Sequence, residues 1–129
     1  MKVSLDTNAY TKLVQGYRPL SELLERVDEI FVSSIVLGEL IAGFTVGSRR
    51  RENMSILQDF LDTEASVLCD ITRDVAERYA LLFADLRSKG TPIPTNDLWI
   101  AAAALETGSR LISYDDHFKN VPGLAVLSP

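Results

Sequence analysis

Four carboxylates in this chain stand where they could do chemistry: Asp6, Glu39, Asp97 and Asp115. Asp6 directly follows a segment in which Met1, Val3 and Leu5 alternate with Lys2 and Ser4, the pattern of a half-buried strand. Asp115 follows a second strand-like run by two residues, in "RLISYDDHF". Asp97 sits in the first turn of "TNDLWIAAAALETG", a helical stretch apolar nearly all round from Leu98 to Leu105. An acid there is favoured by free backbone N–H groups and by the helix dipole, so a capping role alone would explain it. Glu39 lies in "SIVLGELIAGF", near the margin of the face stacked by Val36, Leu40 and Phe44. Taken singly, each acid has a structural explanation: a turn, a cap, a loop or a solvated helix face. Taken jointly, they would repel one another and raise one another's pKa unless a cation stood among them. No lysine or arginine adjoins any of the four in sequence. Oxygen ligands without sulfur, in a chain with one histidine, suit Mg²⁺ or Mn²⁺ and not zinc.

The elements that must position these acids alternate between strand and helix. Lys2–Leu5 is the first strand, "IFVSS" the second, "SVLC" the third, "RLIS" the fourth and "LAVL" a possible fifth. Pro19 opens a helix carrying Leu20, Leu23, Leu24 and Val27 at helical spacing. Gly47 ends the Glu39 helix, and Ser48 is placed to cap another that runs to about Leu61, with Met54, Leu57, Phe60 and Leu61 inward. Thr72 is placed to cap a long helix with Val75, Tyr79, Phe83 and Leu86 toward the core, ended by Gly90 and Pro92; Gly108 closes the Asp97 helix. Short strands between helices predict an α/β domain with a mainly parallel sheet of four to five strands and helices on both faces. Ligands bind such sheets outside the carboxyl ends of the strands. Asp6 and Asp115 follow strands, so both are expected at that edge.

Length and composition set the frame. The 129 residues predict one domain over residues 1–129, and 47% hydrophobic with 24% charged residues is ordinary for a globular chain. No apolar run approaches the roughly 18 residues of a membrane span, and the N-terminus lacks the order of a signal peptide. The single cysteine, Cys69, cannot form an internal disulfide, which predicts the cytoplasm; its apolar surroundings predict a core thiol. The net charge of −5 argues against a nucleic-acid binder of the basic-patch kind. However, the four acids account for most of that charge, and two bound divalent ions would cancel all but one unit of it. The one basic run, Arg49, Arg50 and Arg51, falls at the positive end of a helix, where the dipole disfavours it. That conflict suggests contact with RNA or a partner, against a plain solvated face.

"LDTN" at 5–8, "LGEL" at 37–40, "TNDLWIAAAA" at 95–104 and "LISYDDHFKNVPGL" at 111–124 resemble, in order, the four acidic motifs of the PIN-domain family. The likeness is to the VapC-type ribonuclease toxins of toxin–antitoxin pairs. It implies a three-layer α/β/α fold and hydrolysis of RNA phosphodiester bonds with one or two Mg²⁺ or Mn²⁺ ions. The family's quartet falls on Asp6, Glu39, Asp97 and Asp115, with Asp116 the lesser choice for the fourth. Asp6 and Asp97 are implied as primary metal ligands, and Glu39 and Asp115 as groups that orient water or complete a second site. Thr7 and Asn8 match the residues after the first acid and are read as the turn that aims it. Ser113 matches a small hydroxyl residue before the fourth. His117 is read as structural or superficial, because metal-assisted hydrolysis does not need it.

The resemblance also implies a tRNA or rRNA substrate, a small VapB-like antitoxin that covers the acids, and a homodimer. Apolar Leu13, Val14, Tyr17, Val46 and Met54 could line a groove for the partner, or belong to the core. Two other readings compete. One is a HAD-like phosphohydrolase, but that family wants an aspartate where Asn8 stands. The other is a non-catalytic PIN-like RNA-binding module.

Overall fold

β1, Lys2–Leu5, is the centre of the molecule in this computed structural model, which describes residues 1–129. It pairs with β2, Glu29–Ser33, on one side and with β4, Arg110–Ile112, on the other. β3, Ser66–Cys69, extends the sheet beyond β2, and β5, Val126–Leu127, extends it beyond β4. The order is β3-β2-β1-β4-β5, and every pairing is parallel. The expected mainly parallel sheet is thus wholly parallel, and all five strands form.

Six α-helices cover the sheet as a three-layer α/β/α fold. They are α1 (Thr7–Val14), α2 (Arg18–Leu24), α3 (Ser34–Val46), α4 (Arg50–Leu61), α5 (Arg73–Ser88) and α6 (Thr95–Thr107). Because the sheet is covered on both faces, Val3, Ser4 and Leu5 are all buried. The half-buried strand expected from alternation is therefore buried on both faces from Val3 onward, with only Lys2 exposed. Ser4 satisfies its hydroxyl against that of Ser109, as a buried polar group must. α6 lies over the sheet centre against β2 and β4, with Ala101, Ala102, Ala103 and Ala104 all buried. Small side chains let the helix approach the strands closely. Gly108 ends it in the left-handed region at φ +67°, where a side chain would be strained. Full burial of residues such as Leu5, Leu111 and Ile112 is worth about 1.5–3 kcal/mol each.

Four local expectations are corrected. Thr7 and Asn8 are not a turn but the first residues of α1. Ser48 does not cap α4; Arg49 holds the N-cap position, without a side-chain cap bond. Val27 lies past the end of α2. On α5, Phe83 is exposed and Leu82 takes the buried place, so the inward stripe is Val75, Tyr79, Leu82 and Leu86. Thr72 does cap α5, accepting from the Val75 N–H at 3.3 Å. Cys69 is half-buried against the core, and burial pushes its thiol pKa up, which suits an inert thiol. No helix is long and apolar enough to cross a membrane.

Candidate functional site

The chain runs β1 to β2 to β3 in one direction, then returns to place β4 on the opposite flank of β1. Strand order therefore reverses between β1 and β4, and in open parallel sheets a crevice forms at the carboxyl ends of such a pair. Asp6 leaves β1 and Asp115 follows β4 at that crevice. α3 carries Glu39 and the first turn of α6 carries Asp97.

Asp6 is buried, only 4% exposed. One carboxylate oxygen caps α1, accepting from the Ala9 N–H at 2.8 Å. The other accepts from the Ser113 hydroxyl. Ser113 is fully buried, and its Oγ also accepts from the Asp115 N–H at 3.0 Å. One serine thus fixes the first and fourth acids relative to each other. Burial raises the Asp6 pKa; its two hydrogen bonds oppose that rise, and the charges of Asp97 and Asp115 add to it.

Asp97 makes no capping bond at the start of α6. The capping explanation for it is corrected: its carboxylate meets the His117 Nδ1 at 2.9 Å instead. Burial again raises its pKa, His117 opposes the rise, and Asp115 and Glu39 add to it. Asp115 lies 3.2 Å from the same Nδ1, and it accepts from the His117 backbone N–H at 2.9 Å. Asp97, Asp115 and His117 can bring one ligand atom each within 4.8 Å of one another. Glu39 is held from two sides, by the Thr7 hydroxyl at 2.6 Å and the Asn96 amide at 3.3 Å. Asp116 is exposed and paired with Lys119, turned to a different task from Asp115.

The four acids come from four separate elements into one electrostatic neighbourhood. His117 is the one basic side chain bonded to them, and contact with Asp97 raises its pKa. That position departs from a merely superficial role. Asp6 and Asp97 both ionise less readily than a free carboxylate, a cost that a divalent cation would relieve. The donor set fits such an ion: hard carboxylate oxygens, one imidazole and no sulfur. Asp6 lies outside the close triad, with both oxygens engaged by this chain.

A cleft of about 530 Å³ opens beside the acids. Asn8, Thr11 and Lys12 of α1, with its C-cap Gln15, form one wall, and Tyr114–His117 form the other. Arg49 borders a separate groove across α1, with Tyr10, Val14, Phe44 and Ile56. Arg49 pairs with Glu52, and Arg50 donates to the Thr45 hydroxyl at 3.3 Å. Of the five residues expected to form a partner groove, Val14, Tyr17 and Val46 are exposed, whereas Leu13 and Met54 are half-buried. Sequence reasoning passed over Lys12, Tyr114 and Asn96, which meet the site only through tertiary structure. The placement of His117 two residues after Asp115 was a usable signal.

A parallel sheet with uncompensated carboxylates at its switch point defines an α/β protein suited to holding a cation there. The PIN domain matches residues 3–124, and the chain belongs to that family. Ribonuclease VapC2 of Rickettsia felis is 34% identical over 125 residues, covering 93% of this chain and 92% of its own. Ribonuclease VapC5 of Mycobacterium tuberculosis is 31% identical over 124 residues, covering 94% and 88%. In the crystal structure of VapBC2 from Rickettsia felis bound to a DNA fragment from their promoter, the matching chain is 30% identical, with a TM-score of 0.85 over 98% of both chains. The expected fold and family are borne out.

Proposed function

We propose that the chain is a Mg²⁺- or Mn²⁺-dependent endoribonuclease, the toxin of a toxin–antitoxin pair. Residues 1–129 act as one PIN domain in the cytoplasm, as a homodimer, on tRNA or rRNA. A small VapB-like antitoxin neutralises it. Relatives named ribonucleases that match over most of their length support the activity, and a similar solved structure named for a family of toxin–antitoxin systems supports the partner. The observation that carries the reading is the meeting of Asp97, Asp115 and His117 beside Asp6 and Glu39.

Asp97 and Asp115 would hold the ion, with Asp6 completing or orienting its shell and Glu39 serving the same site or a second one. A bound divalent ion supplies charge stabilisation to a phosphoryl oxygen and acidifies water. Ser113 holds Asp6 and Asp115 in register for that task. Thr7 and Asn96 aim the Glu39 carboxylate, which orients the attacking water. Arg49, Arg50 and Arg51 meet RNA or the antitoxin. The groove beside Arg49 mixes apolar side chains (Tyr10, Val14, Phe44, Ile56) with polar ones (Thr11, Gln15, Asn53), which suits the antitoxin better than a polar strand. A phosphomonoesterase has no comparable support, because Asn8 stands where its second aspartate would be.

The test is to map RNA ends after brief induction of the wild-type chain and of Asp97→Asn. Discrete new ends with the wild type alone, reproduced in vitro and abolished by EDTA, are expected. Unchanged cleavage by Asp97→Asn would overturn the assignment.

A further inference from the structure

We propose that Lys12, held between the rings of Tyr17 and Tyr114, is a subsite for an RNA phosphate next to the one that is cleaved. The inference rests on RNA being the substrate. The chain has four lysines. Lys2, Lys89 and Lys119 each face a carboxylate, at 3.7, 2.9 and 2.9 Å. Lys12 faces none. Its Nζ lies 4.7 Å from the Tyr17 ring centroid and 4.1 Å from that of Tyr114. The two rings meet edge to face with centroids 6.0 Å apart. Aromatic faces attract an ammonium but do not neutralise it. Lys12 is therefore fixed in direction while its charge stays available to an anion.

The support behind it is also fixed. The Tyr114 hydroxyl donates to the Pro129 carbonyl at 3.2 Å, and Tyr114 directly precedes Asp115. The ammonium thus opens on the same cleft as Asp115 and His117. Asn8, Thr11 and Gln15 recur with Lys12 at helical spacing along that wall and offer neutral amide and hydroxyl groups. A volume of about 530 Å³ falls within the roughly 300–1,000 Å³ of ligand pockets. An amphipathic protein helix would need a row of apolar anchors. This cleft has one apolar wall residue, Tyr114, whereas a nucleotide needs a cation, hydrogen-bonding edges and an aromatic surface.

Binding is measured in the Asp97→Asn chain by fluorescence anisotropy, with a labelled random-sequence single-stranded RNA of twelve nucleotides and with a labelled oligoglutamate peptide. Lys12→Met and Lys12→Arg are each added, and salt is titrated. Lys12→Met keeps the aliphatic stem against the rings. It is expected to weaken RNA binding about fivefold to tenfold and to reduce the salt slope by about 0.7, the loss of one phosphate contact. Lys12→Arg is expected to retain the slope. Equal affinity and slope in Lys12→Met, no RNA binding by any form, or a Lys12 dependence confined to the peptide would each overturn the proposal. Cleavage is scored separately with the wild-type chain. Lys12-dependent binding without cleavage sinks the ribonuclease reading and leaves Lys12 as an RNA-phosphate contact with no neighbouring cleavage, and cleavage with Lys12-independent binding sinks this subsite alone.

Discussion

The two ends of the sheet treat the same side chain in opposite ways. At the amino-terminal edge, the Met1 ammonium pairs with Asp28, and Lys2 faces Glu29 at 3.7 Å. The terminal ammonium holds the Asp28 pKa below its ordinary value. At the carboxyl edge, burial and neighbouring acids raise Asp6 and Asp97 above theirs. One edge neutralises its charges from within the chain. The other gathers carboxylates with a single histidine among them and is left needing a cation from outside. Capping α1 accounts for one of the Asp6 oxygens, but stability alone gives no reason to bury it where Asp97 and Asp115 repel it, and that is the contrast between the two edges.

The largest expected effect is on catalysis. Asp115→Asn should lower RNA cleavage more than about a hundredfold, since even indirect supports of a metal site cost tenfold to a hundredfold. Asp28→Asn should leave cleavage unchanged, read in the same gel assay. Ser113→Ala comes next. It removes the hydroxyl that donates to Asp6 and accepts from Asp115, and it should reduce cleavage about tenfold with the fold intact by circular dichroism.

Stability should move the other way. Without metal, Asp6→Asn relieves a buried, repelled carboxylate while keeping a side-chain oxygen to cap α1. Its Tm should rise by a few degrees in calorimetry under EDTA, where about 1 kcal/mol corresponds to several degrees in a chain this size. A fall in Tm would mean that the Asp6 hydrogen bonds outweigh its burial.

The smallest effect is on pH dependence. Asp6 and Asp97 bind protons more tightly folded than unfolded. Their contribution is fully present below the unfolded value of 3.8 and is lost as pH rises through their raised values. His117 is also raised, so its contribution holds below 6.5 and fades as pH rises through its folded value. Asp28 is lowered, and its contribution is lost only as pH falls from 3.8 through its folded value. Under EDTA, Tm should therefore decline as pH rises from about 4 and these three groups lose their protons in turn. Saturating Mn²⁺ should flatten that decline, and Asp28→Asn should not.

Much of this contrast was legible in the chain. Strand ends announced Asp6 and Asp115, and an apolar run announced α6 behind Asp97. Parallel β-α alternation placed them at one edge. What escaped was set by contacts distant in sequence. Thr7 and Asn8 read as a turn after Asp6; capping by Asp6 and packing of Ala9 and Tyr10 instead make them the first residues of a helix. Leu82 and Phe83 both fit helical spacing, and only the neighbours of α5 select Leu82 for burial. The amino-terminal pairing of Met1 with Asp28 follows from the register of β1 on β2, which no local pattern reveals. His117 joins Asp97 across twenty residues, and Lys12 meets Tyr114 across the cleft.

Calorimetric titration of Mn²⁺ into the wild-type, Asp97→Asn and Asp28→Asn chains tests the need of the carboxyl edge for an outside cation most directly. The wild type and Asp28→Asn should bind with the same affinity, and Asp97→Asn should bind at least about tenfold more weakly. Equal binding by Asp97→Asn, or lost binding by Asp28→Asn, would contradict the assignment of the cation to the carboxyl edge.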